Sequence, residues 1–273
     1  AIYEDKWQEG GSISYLFAYK DLLLNKDAND TASDFVRNKI RATVNDPNTA
    51  ELLCPDNHPI GTKRLILDSH YYEIFNQSNV KLVDVKSAPI QEITPNGIKT
   101  TESEYQLDAI AFATGFDAMT GAIKEIDVRV DGGTTIEEQW DSGPRTYLGL
   151  MVAGLPNMFM ITGPQSPGVK SQMILSIEWH INWVANCLSY MRDNNYTRVA
   201  AEVKAQQQWV DHVREVADST LYPLANSWYM GANIPGKARV FMPYVAGVEA
   251  YTKECNRVTQ NGYQGFEFST NIS

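Results

Sequence analysis

The chain has 273 residues, enough for one large domain or two small ones. Its net charge of −10, spread along the sequence, excludes the basic stripe that a nucleic-acid partner needs. No apolar run approaches the roughly 18–20 residues of a membrane-spanning helix, and Cys54, Cys187 and Cys255 lie far apart with neither CxxC pairing nor metal-ligand spacing, a usage that suits a reducing cytosol. The mixed, acidic start is no signal peptide. Position 1 is Ala and not Met, which suits a fragment or a processed product.

From the N-terminus, residues 14–24 are apolar with a helical pattern. Asn29-Asp30-Thr31 supplies capping types before a helix predicted over 32–44, with Phe35, Ile40 and Val44 as its main apolar positions. Asp46-Pro47-Asn48 stops it. Residues 71–75 read as helical, and 79–85 alternate like a strand. Pro95-Asn96-Gly97 between two short β-type runs, 89–94 and 98–101, predicts a hairpin. Residues 105–113 become almost wholly apolar, as a central strand covered on both faces would be. Asp131-Gly132-Gly133 marks a turn.

A short apolar strand is expected at 158–161, followed by a Gly-Pro loop and a helix over about 172–192 closed by Asp193-Asn194-Asn195. A short strand is predicted at 197–201. An amphipathic helix follows over 203–218, with Trp209, Val213 and Val216 on one face. The last fifty residues read as aromatic and loop-rich. The mixture is α/β or α+β.

The chemistry begins with absences. The sequence has no GxGxxG, no GxSxG and no zinc signature. His180 sits in a helical pattern without HExxH spacing and reads as structural or solvated. The stretch 163–171 comes near a phosphate-binding loop, but Val169 intervenes between Gly168 and Lys170, and two prolines remove backbone donors. Lys63-Arg64 taken alone reads as a solvated basic pair. With an anionic partner it would suit a phosphate or an oxyanion, since Arg stays charged and presents a planar fork of donors. Ala113-Thr114-Gly115-Phe116-Asp117 ends an apolar run, where ligands sit in α/β sheets.

Taken in order, four segments resemble the second half of the Baeyer–Villiger monooxygenase family, in particular its phenylacetone- and cyclohexanone-oxidising type. They are Pro59-Ile60-Gly61-Thr62-Lys63-Arg64, Ala113-Thr114-Gly115-Phe116-Asp117, Thr162-Gly163-Pro164-Gln165-Ser166-Pro167, and the run from Asn226-Ser227-Trp228-Tyr229 to Gly236-Lys237. The Thr-Gly-Phe-Asp element is common to other flavin monooxygenases. The Lys-Arg pair combined with Asn-Ser-Trp-Tyr is much more specific.

The resemblance implies an α/β fold: the C-terminal portion of a protein with two dinucleotide-binding domains, for FAD and NADPH, and a helical insert. Residues 1–61 would be the insert, 62–112 the closing part of the NADPH domain, and 113–273 part of the FAD domain. It implies an enzyme that uses FAD, NADPH and O2 to convert a ketone into an ester or lactone. Arg64 takes the position of the catalytic arginine, and Lys63 that of a contact to the 2′-phosphate of NADPH. Trp228 would bond the nicotinamide cofactor, and Met173 would lie against the flavin. Val169, Lys170 and Ser171 would line the ketone pocket. Two departures stand out: Leu65 and Ile66 follow the Lys-Arg pair where some members have proline, and Lys170 charges a bulge that is often apolar. Both GxGxxG motifs of the family lie upstream of the resemblance, so the chain is expected to partner a missing N-terminal half in the cytoplasm. The alternatives are an N- or S-oxygenating flavin monooxygenase and a non-catalytic fragment.

Overall fold

A computed structural model describes residues 1–130, 132–169 and 171–270. The chain divides into two compact units. The first comprises residues 1–22, 27–60 and 65–115, and the second 23–26, 61–64 and 116–273.

The first unit opens with the helices α1 (Ile2–Gln8) and α2 (Ile13–Leu16), followed by α3 (Lys26–Thr43) and α4 (Pro47–Leu53). Helix α3 starts earlier than the capping residues suggest, because Asn29 does tertiary work in its interior. The Asn29 side chain is fully buried; its amide donates to the carbonyls of Leu22 and Ile60, both at 2.9 Å, and its oxygen accepts from the Ile60 backbone at 2.9 Å. The Asp-Pro read as a stop is also a start. Pro47 takes the first helical turn of α4, where no N–H is needed, and Asp46 caps it by accepting from Thr49 N at 2.8 Å. Ile40, Val44, Ala50 and Cys54 form the small core beneath these two helices.

The hairpin forms as expected. Strands β1 (Ile90–Thr94) and β2 (Gly97–Thr100) pair antiparallel around Pro95-Asn96, with Ile93 opposite Ile98, and β3 (Glu104–Gln106) adds to β2. Two predicted strands are not paired among the described residues. Residues 79–85 carry no ladder, and of 105–113 only the first two residues join β3. The apolar remainder lies open, with Phe112 69% exposed. A strand needs a partner as well as an apolar sequence, and the described residues supply none there. The 71–75 segment is a single turn of 3-10 helix at Glu73–Asn76.

The second unit contains short helices α5 (Gly121–Lys124) and α6 (Ile136–Gln139). It also holds the long α7 (Met173–Asp193), α8 (Val203–Asp218) and α9 (Val248–Gln260). Strands β4 (Arg198–Ala201) and β5 (Phe266–Ser269) pair antiparallel, Arg198 opposite Ser269. The core joins Trp183, Cys187 and Met191 of α7 to Trp209 and Val213 of α8 and to Tyr251, Cys255 and Val258 of α9. The expected strand at 158–161 is irregular loop backbone.

Helix α9 falls in the region read as loop. Its buried stripe, Tyr251, Cys255 and Val258, has helical spacing but is built from Tyr and Cys within a polar sequence. Helix α7 presents an uncovered apolar side, Ile174, Leu175, Ile181 and Leu188, each half or more exposed. No helix among the described residues is long and apolar enough to cross a membrane.

Candidate functional site

The segment from Thr162 to Val169 is fixed from several sides. The Thr162 backbone N–H donates to His180 Nδ1 at 2.8 Å. The Gln165 side chain is buried; its oxygen accepts from Thr146 N at 2.9 Å and its amide donates to the Pro144 carbonyl at 3.1 Å. Trp209 Nε1 donates to the Gln165 carbonyl at 3.2 Å, and Tyr244 N to the Ser166 carbonyl at 2.9 Å. These bonds hold two non-glycine residues, Thr162 (φ 53°) and Gln165 (φ 69°), in the left-handed region. Such strain persists only where its surroundings over-determine it.

Gly149 lies directly beneath this loop. With φ +68°, a Cβ there would come 2.6 Å from Ser166 Cβ and 3.0 Å from the Pro164 carbonyl oxygen. Gly149→Ala is expected to lower stability by about 2–4 kcal/mol, from a strained φ and a backbone collision together. A denaturation midpoint unchanged in the variant would show that the loop yields.

The rigid loop ends at Val169, 5% exposed, whose carbonyl accepts from Arg64 Nη1 at 3.1 Å. Arg64 also lies beside the hydroxyls of two buried tyrosines, Tyr222 and Tyr229. Burial pushes both phenols up, and the Arg64 charge offsets part of that rise. The guanidinium is therefore anchored on its backbone side while the residue as a whole remains open to solvent. Lys63, its neighbour, is half-buried.

Trp228 opens a turn of 3-10 helix, Trp228–Met230, and its half-buried indole lies 4.1 Å from the Tyr229 ring, centroid to centroid. Met173 is the first residue of α7, 41% exposed, with its sulfur close over Gly168. Ser171 Oγ lies 3.4 Å from Ser176 Oγ. Lys170 lies outside the described residues.

The structure thus brings Val169 and Tyr229 to Arg64, with Trp228 and Met173 attached through their immediate neighbours. Tyr229, Asp117 and Lys237 all stand in the quoted motifs, but sequence reasoning assigned them no role. Lys237 Nζ pairs with the Asp117 carboxylate and donates to the Ala118 carbonyl at 3.0 Å.

The residues can be tested against a flavin and a nicotinamide cofactor. They offer a fixed cationic fork, a second cation beside it, an indole N–H donor, a thioether, and an uncovered apolar helix side. They offer no glycine-rich cradle for a pyrophosphate. The set fits the reacting ends of such cofactors and leaves their diphosphates to other elements.

No protein-family model matches the chain. Cyclopentanone 1,2-monooxygenase of Comamonas sp. (strain NCIMB 9872) is 41% identical over 98% of this chain and 49% of its own length. A Baeyer–Villiger monooxygenase of Pseudooceanicola batsensis is 41% identical over 96% of this chain and 48% of its own. The phenazine N-monooxygenase of Lysobacter antibioticus is 35% identical over 97% and 49%. Among solved structures, an oxidized steroid monooxygenase bound to NADP superposes with a TM-score of 0.91 at 44% identity, over 99% of this chain and 51% of that one. OTEMO in complex with FAD and NADP gives 0.85 at 40% identity, over 92% and 46%.

The chain spans about half the length of the relatives it matches. Its fold is the C-terminal portion of a monooxygenase with two dinucleotide-binding domains. Within that class the relatives that cover this chain include Baeyer–Villiger monooxygenases, and over its own length the chain is homologous to one half of them.

Proposed function

We propose that this chain is the ketone-facing half of a Baeyer–Villiger monooxygenase that uses FAD, NADPH and O2 to insert one oxygen beside a ketone carbonyl, giving an ester or lactone. The observation that carries this reading is the seat of Arg64, one arm on the Val169 carbonyl and the rest facing outward beside Tyr229. Bound FAD would supply the oxygen-activating chemistry and NADPH the reducing equivalents.

This chain's own residues would orient and stabilise. Arg64 would hold negative charge as it develops on the ketone oxygen, a role to which a guanidinium is suited. Because Val169 fixes it beforehand, no reorganisation is needed at that moment. Lys63 would meet the 2′-phosphate of NADPH as a point charge. The Trp228 indole N–H would donate to the nicotinamide cofactor. Met173 would pack on the flavin, and Val169, Lys170 and Ser171 would shape the ketone pocket. In this assignment 1–61 is a helical insert, 62–112 closes the NADPH domain and 113–273 belongs to the FAD domain. The missing N-terminal half would bring the pyrophosphate cradles and cover the open α7 side and the open 107–116 run. Three unpaired, buried thiols fit a cytoplasmic setting.

Nitrogen or sulfur oxygenation is the second reading, favoured by the phenazine N-monooxygenase at 35% identity. The test is oxygen-18 incorporation. The flavin-loaded, full-length protein given NADPH, labelled O2 and a cyclic ketone should release a lactone carrying one labelled atom. Label appearing only in added amines or sulfides would overturn the ketone reading. This chain alone should bind FAD poorly and give no product.

A further inference from the structure

The tip of the segment that follows Trp228 is poorly buried: Ala232, Asn233, Pro235 and Gly236 are exposed. Apolar packing therefore does not fix it, and polar contacts do. At its base Arg239 donates to Asn226 Oδ1 and, at 3.3 Å each, to the carbonyls of Pro223 and Ala225. At its far end Lys237, with a side chain only 9% exposed, pairs with Asp117 and donates to the Ala118 carbonyl. Asn233 Nδ2 adds a bond to the Phe116 carbonyl at 3.0 Å. Between base and far end the chain is pinched at Gly231 (φ +71°), where a Cβ would lie 2.9 Å from the Ala238 carbonyl oxygen.

From this arrangement we infer that Lys237, through its pair with Asp117, is a positioning residue: it latches the 228–237 segment to the 116–118 turn and so sets how tightly the site holds the nicotinamide cofactor. The inference rests on the role proposed for Trp228. Neutralising Asp117 leaves the shielded Lys237 ammonium without its counter-ion, and neutralising Lys237 leaves the part-exposed Asp117 carboxylate without its partner. The exposed Asn233 side chain is then left to carry most of the tie to the turn, and Trp228 loses a fixed starting position.

The experiment uses the flavin-loaded, full-length enzyme, with Lys237→Met, Asp117→Asn, the double variant and Lys237→Arg. FAD content and the dissociation constant for NADP+ are measured, together with kcat at saturating NADPH. Each single neutralisation should weaken NADP+ by about tenfold. FAD content should hold, and kcat at saturation should stay within about twofold. The double variant should be no worse than the worse single one, since both remove the same contact, and Lys237→Arg should recover most of the affinity.

A purely structural role would lower flavin content and thermal midpoint without this split between binding and turnover. NADP+ affinity within about twofold of the parent in flavin-loaded Lys237→Met, or effects that add in the double variant, would overturn the latch. If Lys237→Met fails to load FAD, Asp117→Asn, which keeps the side chain's shape, carries the same measurement. Trp228→Phe separates the two levels. If it weakens NADP+ while the latch variants do not, the latch is wrong and the Trp228 role stands. If it leaves NADP+ binding unchanged, the role of Trp228 fails and takes the inference with it.

Discussion

Replacing Arg64 by Met in the flavin-loaded, full-length enzyme is expected to lower ketone oxygenation by about 10²–10³-fold while NADPH consumption continues. The expectation follows from the seat of the side chain. Nη1 donates to the Val169 carbonyl at 3.1 Å, and the guanidinium sits beside the Tyr229 hydroxyl. Two anchors leave the remaining N–H donors at a fixed place and direction, which is what stabilising a developing oxyanion requires.

Lysine in the same position keeps the charge but not the planar fork. Arg64→Lys should therefore recover only a small part of the loss. Paired assays of product formation and NADPH oxidation check this, because a general collapse of the site would stop both. Ketone turnover within about tenfold of the parent would remove Arg64 from the reaction. The same variant sorts the two readings of the reaction. An enzyme that oxygenates amines or sulfides should keep that activity without Arg64, and one that needs the cation for ketones should not.

The elements most legible in the sequence carry their own periodicity. Helix α8 falls where its Trp209 and Val213 spacing places it, and Pro95-Asn96-Gly97 makes its hairpin, because both signals are local. Helix α7 reads clearly for the same reason, although one of its sides is apolar and uncovered. Apolar runs mislead where burial is supplied from elsewhere. Residues 107–113 have the composition of a covered strand, but composition reports an appetite for burial and says nothing about the partner. Helix α9 is the opposite case, a polar sequence whose three inward positions hold Tyr, Cys and Val.

The site shows the same division. Arg64, Trp228 and Lys237 could each be picked out as residues in motifs. Which residue pairs with which could not, since Val169 lies 105 residues from Arg64 and Asp117 lies 120 residues from Lys237. No period or spacing rule reaches that far. A satisfied charge in an irregular loop leaves no mark on the sequence around it.

His180 ties this loop to the fold, and it should make the loop sensitive to acid. The Thr162 backbone N–H donates to Nδ1 at 2.8 Å, so that nitrogen must carry no proton. Nε2–H then donates to Tyr251 Oη at 2.9 Å, and the Tyr251 hydroxyl donates to the Leu148 carbonyl at 2.6 Å. Burial lowers the imidazole from its ordinary 6.5 to about 4. The folded chain thus resists a proton that the unfolded chain accepts from about pH 6.5 downward. Its stabilising contribution is complete above that pH, shrinks as pH falls from 6.5 toward 4, and is gone below. Each pH unit in that window costs about 1.4 kcal/mol, which sets a ceiling of about 3 kcal/mol.

His180→Gln isolates the effect from that of other titrating groups. At pH 8 the variant should be less stable by about 1–3 kcal/mol, for the hydrogen bonds lost. The gap between parent and variant in denaturation midpoint should close as pH falls from 6.5 to 4. A gap that stays constant across that window would show that the imidazole is not held neutral. Thr162 opens the loop that ends at the Val169 carbonyl, so protonating His180 removes one of the several bonds that hold the support on which Arg64 rests. Acid should therefore loosen the arginine before the remaining core, built from Trp183, Trp209 and Val258, gives way.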